Sequence, residues 1–191
     1  AIFGSLLFTK VLRRMIIKNK TIVADEWTVL RLSDQDSAET VTVPAGKIIV
    51  PLQVWLQQRD ALQQRSEIGV WLATDERPEV LKEDVRKLSV IAVDFPRFSD
   101  GRGYSIAYNL RARLGYAGEL RAMGDVLRDQ LFYMQRVGFD AFAPRPDRSM
   151  EDALKGLSDF SDVYQTSFDQ KQPLFRRVQR KGNPEAGLTH E

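Results

Sequence analysis

Cysteine is absent from all 191 residues, and histidine occurs once, at His190. The first absence excludes a disulfide framework, a zinc–thiolate site, a thiolate-ligated iron–sulfur cluster and a cysteine nucleophile. The second all but removes histidine-based acid–base catalysis, haem ligation and histidine metal sites. A carboxylate-only magnesium site stays open in principle. The glycine spacing of a dinucleotide fingerprint and the Gly-Lys-Ser/Thr of a P-loop are also missing, so neither familiar nucleotide-binding device is present. Long apolar runs are scarce. The opening "AIFGSLLFTKVLRRM" has nine largely apolar residues ahead of its charges. A secretory signal carries its charges first, and a membrane span needs about twenty apolar residues. Residues 1–14 therefore read as an extension ahead of a domain that opens at Met15.

What charge there is divides unevenly. The net of +2 comes from the two ends, because residues 21–170 hold 18 basic and 24 acidic residues. A mildly acidic body does not suit nucleic-acid binding, which needs a basic face to neutralise phosphates. The basic ends read as solvated tails, and from about residue 170 the polar chain with its Pro and Gly reads as disordered.

From Met15 two β-branched runs flank Asn19-Lys20 as in a hairpin, and a third strand-like run lies around Trp27–Leu32. Residues 33–46 read as a polar loop. Beyond it, strands at 47–50, 68–73, 89–95, 119–123 and 139–143 alternate with helical periods. The predicted helices run from Pro51 to Arg65, 78–88, 104–114, 126–137 and 149–157. The last has Ser149 and Asp152 as an N-terminal capping pair. Five strand–helix repeats imply an α/β domain over 15–165 with a mainly parallel sheet. An open three-layer sheet with helices on both faces is the favoured form and a partial βα barrel the other, each with the N-terminal β-hairpin added. Tryptophans 27, 55 and 71 and the Phe132–Met134 run are assigned to packing.

In either form ligands meet the carboxyl ends of the strands. Polar groups concentrate in three of those exits. The third strand leads into "FPRFSDGRGYS", with Arg97, Asp100, Gly101, Arg102, Gly103, Tyr104 and Ser105. The fourth leads to Asp125, Arg128 and Asp129, and the fifth to Arg145 and Arg148. Gly101-Arg102-Gly103 can present backbone N–H groups to an anion at a helix start. It is equally good turn chemistry, with Asp100 or Ser105 as the cap. Asp125 sits where an N-cap is expected, and with Asp129 could act as acid and base or as cap and surface ion pair. Arg121, inside the fourth strand, requires a carboxylate or a bound anion.

The segments "VDFPRFSDGRGYS", "LRAMGDVLRDQ" and "GFDAF", with "VPLQVWLQQRD" before them and "LSDFSDVYQ" after, resemble a bacterial family, the domain of unknown function nine hundred thirty-four, from about Met15 to Gln165. Members are labelled oxidoreductases and tend to be encoded beside the haem-containing sulfite reductase. The resemblance implies a cytoplasmic role in sulfur assimilation, with the sulfite reductase subunit as partner. Its motifs fall on Asp100, Gly101, Arg102, Gly103, Tyr104, Ser105, Arg121, Gly124, Asp125, Arg128 and Asp129. The family often has cysteine where this chain has Val137, so no cysteine mechanism carries over. Two functions then compete. One is a non-redox accessory protein in which Arg102, Arg121 and Arg128 hold a small anion or a partner carboxylate. The other is an oxidoreductase using a bound flavin or nicotinamide through an unfamiliar mode, with Asp100 or Asp125 moving protons and Tyr104 as donor.

Overall fold

Every apolar run that sequence marks as a strand joins one eight-stranded sheet in the computed structural model, which describes residues 14–158. The strands are β1 (Met15–Lys18), β2 (Thr21–Ala24), β3 (Thr28–Val29), β4 (Ile48–Pro51), β5 (Ile68–Ala73), β6 (Val90–Phe95), β7 (Glu119–Gly124) and β8 (Ala141–Phe142). Their order is β2-β1-β8-β7-β6-β5-β4-β3. From β3 to β8 all neighbours are parallel, whereas β1 runs antiparallel to both β8 and β2. The hairpin turns through Asn19 and Lys20, both at positive φ, the pairing that suits a right-twisted two-residue turn. Of the expected extension at 1–14 only Arg14 is among the described residues, and the expected tail at 170–191 lies outside them.

The order of the parallel strands never reverses, and this decides the architecture. Right-handed crossovers between strands that step one way carry every intervening segment over the same face. Helices on both faces of an open sheet require a reversal of strand order, and this chain has none. The three-layer arrangement is therefore not what the strand order builds. The main core holds one set of alternating side chains, including Val50, Val70, Leu72, Ile91, Val93, Leu120 and Phe142. The opposite set, Ile49, Val90, Ala92 and Met123, forms a second, smaller core with Trp27, Val29, Trp71 and Ala143.

The sheet is also curled. Ala24 ends one edge strand and Thr28 begins the other, so the two edges are at most about 14 Å of chain apart. Flat, eight strands would hold their outermost members about 34 Å apart. The linker Asp25–Trp27 spans the gap and lies against the second face. Asp25 takes both its oxygens to Arg121 Nη1 at 3.0 Å, and Trp27 packs into the smaller core.

Five α-helices accompany the strands: α1 (Leu52–Gln57), α2 (Arg59–Leu62), α3 (Arg102–Tyr108), α4 (Arg128–Val137) and α5 (Met150–Lys155). Two predicted helices differ. Residues 78–88 form a 3-10 turn at Pro78–Leu81 and further tight turns, because the buried Asp84 draws that segment inward. Its carboxylate accepts from Trp55 Nε1 at 2.9 Å and pairs with Arg59 at 2.8 Å. The helix expected over 104–114 continues from α3 into a π turn at Asn109–Arg113. The widened turn buries Leu110 and Arg111 together. Arg111 then donates to the carbonyls of Gly138, Tyr116 and Gly118 at 2.8–2.9 Å. Among the described residues no helix is long and apolar enough to cross a membrane.

Candidate functional site

The carboxyl ends of β5 to β8 carry three adjoining charge networks. At the exit of β6 the chain turns through 95–101 into α3. Asp100 accepts from the Arg102 backbone N–H at 3.2 Å, from Nε at 2.9 Å and from Nη2 at 2.7 Å. Thr74, just past β5, donates its hydroxyl to the same carboxylate at 2.5 Å. The anion held by Gly101-Arg102-Gly103 is thus the chain's own Asp100. Gly103 is required for another reason: a Cβ there would sit 2.5 Å from the Phe95 ring. Ser105 caps nothing: it lies inside α3, whose N-cap position is Gly101 and which has no side-chain cap.

These donors hold the Asp100 carboxyl well below the usual carboxylate range, the Arg102 side chain first and Thr74 second. An ionised carboxylate with its lone pairs occupied by four donors is a poor proton acceptor. Its stabilising effect is complete above the unfolded value of 3.8 and is lost as pH falls through the lower folded value. Replacing Asp100 by Asn should therefore flatten the acid limb of stability. Urea midpoints measured from about pH 5 down to about pH 2 should fall less steeply in the variant than in the parent protein. Equal slopes would mean that the network opens in solution.

The second network ties the exits of β6 and β7. Asp125 was the expected N-cap of α4, but the N-cap position falls two residues further on at Leu127, which has no capping side chain. Asp125 instead accepts from the Phe98 backbone N–H at 2.9 Å, and its own N–H donates to Phe95 O at 2.8 Å. Arg145 reaches the other Asp125 oxygen at 3.4 Å. The third network was not foreseen. Asp94 faces the concave side near the end of β6, where Arg31 Nη1 donates to it at 2.7 Å and lies 5.2 Å above the Trp71 ring. An aspartate inside the apolar run "VIAVDF" was a visible signal; nothing near Arg31 marked its partner.

A cleft of about 290 Å³ opens beside these networks, between the starts of α4 and α5. Arg128, Asp129, Arg148, Ser149 and Asp152 line it. Arg128 pairs with Asp152 at 2.8 Å. The Arg148 side chain is exposed and has no polar partner among the described residues. Ser149 Oγ accepts from the Asp152 N–H at 3.2 Å, the cap expected from sequence.

The three arginines proposed as one cluster are not together. Arg102 is held by Asp100 and Thr74, and Arg128 lines the cleft. Arg121 is 1% exposed, on the concave side of β7, between Asp25 and Glu119. Of the two partners its burial demanded, the structure supplies carboxylates. Tyr104 packs edge-on against Phe95, and burial raises its hydroxyl pKa, which works against a proton-donor role. Arg97 and Ser105 are exposed on the same loop and helix start.

Residues 69–175 match the model of a bacterial family described as proteins of unknown function, domain of unknown function 934. The chain belongs to this family. No curated protein and no solved structure matches it significantly. The matched span begins in β5 and takes in every strand exit from β5 to β8. Family residues thus supply Thr74, Asp94, Asp100, Asp125 and the cleft. Asp25 and Arg31, which reach the same sheet from the N-terminal segment, lie outside the span, as does the early "VPLQVWLQQRD".

Proposed function

We propose that the protein is a cytoplasmic, non-redox accessory component of assimilatory sulfite reduction that binds a small oxyanion or partner carboxylate in the cleft at the start of α4. The observation that carries this reading is the uncapped first turn of α4 opening onto the cleft beside Arg148. Leu127 precedes the helix with no side chain that could cap its leading N–H groups, only its carbonyl accepting from the Gln130 N–H at 3.0 Å, and beside the Arg128–Asp152 pair the Arg148 guanidinium has no polar partner among the described residues. Helix-start N–H groups and a guanidinium are complementary to an oxyanion. Size argues in the same direction. At about 290 Å³ the cleft sits at the lower limit of small-molecule pockets, roughly 300–1,000 Å³, which favours a small anion over a flavin or nicotinamide dinucleotide. The link to sulfite reductase rests on the family resemblance.

Calorimetric titration with sulfite and sulfate tests the site, and co-purification with the sulfite reductase haemoprotein tests the partner. Saturable sulfite binding is expected, weakened at least about tenfold by Arg148→Ala with little change in melting temperature. Failure of both anions to bind, together with failure to co-purify, would overturn the proposal. A flavin spectrum in the purified protein would overturn its non-redox part.

A further inference from the structure

Because β6, β7 and β8 are consecutive in the sheet and their connections share one face, α4 lies between α3 and α5. Its Leu131 and Met134 belong to the main core. A different stripe of the same helix, Arg128, Phe132 and Arg136, recurs every four residues, with Tyr133 beside it at 54% exposed. The helix α5 reaches this stripe at its head. Asp152 pairs with Arg128 at 2.8 Å, and a Cβ on Gly156 would lie 2.5 Å from Arg128 O. The described chain ends at Ser158, two residues past that contact. With six residues, α5 is about 9 Å long, shorter than α4.

The family does not stop at Ser158, since the matched span runs on to residue 175. Residues 159–175 lie outside the described residues, but their sequence complements the stripe in period, length and charge. Phe160, Val163, Tyr164 and Phe168 recur at the spacing of one helical face. In helical form residues 159–169 span about 16 Å, against about 12 Å for the stripe from Arg128 to Arg136. Between 159 and 170 stand Asp159, Asp162 and Asp169 with no Lys or Arg, whereas α4 carries Arg128 and Arg136 against Asp129 alone. Attachment two residues from the contact also holds the segment at high effective concentration. A second copy or a separate partner would have to displace it.

We infer that residues 159–169 dock along α4 of their own chain as an amphipathic helix. Its aromatic face lies on Phe132 and Tyr133, and Asp159 and Asp162 flank that face toward Arg128 and Arg136. The docking does not depend on anion binding at the cleft.

The chain has no cysteine, so paired cysteines report the docking with no competing thiol. Tyr133→Cys is combined in the full chain with each substitution in turn from Phe160→Cys to Phe168→Cys, and disulfide yield is read under mild oxidation. The yield should rise and fall with a period of three to four residues, at least about fivefold between maxima and minima, in a product of monomer mass. Val80→Cys, at an exposed position between β5 and β6, should give only background yield with the same partners. Phe160→Ser with Phe168→Ser should speed amide exchange across α4 at least about tenfold and leave α3 unchanged. Uniform yields along 160–168, products of dimer mass, or unchanged exchange in α4 would each overturn the inference.

Discussion

Replacing Arg121 by Met should lower the melting temperature by roughly 6–20 °C, the consequence of losing about 3–5 kcal/mol when one member of a buried ion pair is removed. Arg121 is 1% exposed, and its carboxylate partners are nearly as buried, Asp25 at 7% and Glu119 at 6% of their side chains. Glu119 keeps Lys18 at 2.7 Å after the substitution. Asp25 keeps only the N–H of Trp27 at 3.1 Å, so the uncompensated charge falls mainly on it. Asp25 belongs to the three-residue linker that joins the two edges of the sheet. Losing its anchor should free that linker, and amide exchange at residues 25–29 should rise more than in the helices. Removing the charges together separates electrostatics from packing. Asp25→Leu, Glu119→Leu and Arg121→Met in one chain should recover most of the lost stability, because an apolar trio needs no compensation. A single variant within about 1 kcal/mol of the parent would show that water reaches Asp25 and that the linker is held otherwise.

Gly124→Ala should cost at least about 3 kcal/mol, combining left-handed strain with overlap that nothing nearby can relieve. Gly124 ends β7 at φ +87°, and a Cβ there would lie 2.4 Å from Phe95 O and 2.6 Å from Asp94 Oδ1. The first contact is with backbone in a fully paired strand, so the sheet itself would have to move. Gly115→Ala is the control. It has φ +67° but open space around the added atom, so it should show the conformational cost alone, about 1–2 kcal/mol. Chemical denaturation of the two variants measures the difference. Because Asp125 follows Gly124 and holds Phe98, the first variant should also expose the loop at 95–100 to exchange and proteolysis. Equal losses at the two glycines would mean that β6 and β7 can separate at their ends.

Much of the fold was legible because strands covered by side chains on both faces leave an unmistakable apolar run. "SVIAVDF" and "IGVWLA" could be little else, and Asn19-Lys20 between β-branched runs announced the hairpin. The errors share one cause. At 78–88 the apolar stripe suits a helix, but Asp84 is placed by partners on α1 and α2, more than twenty residues earlier in the chain. At Asp125, local rules see a carboxylate ahead of a helix and assign a cap; the residue serves a loop 27 positions back. Sequence rules weigh neighbours, and each of these side chains answers to a distant one.

The candidate site divides in the same way. Glycine, aspartate and arginine at the strand exits were visible, as was the need of Arg121 for a counter-charge, since a buried guanidinium must be neutralised wherever it lies. Only the tertiary structure decided which charge neutralises which. It put Asp100 into the cradle of its own loop, Asp25 rather than an external anion onto Arg121, and left Arg148 over at the cleft. The alternation of strand and helix follows from hydrophobic period, a property each segment carries by itself. The direction in which successive strands add, the resulting curl, and the pairing of charges across it depend on chain closure between residues far apart in sequence, and no local pattern encodes them.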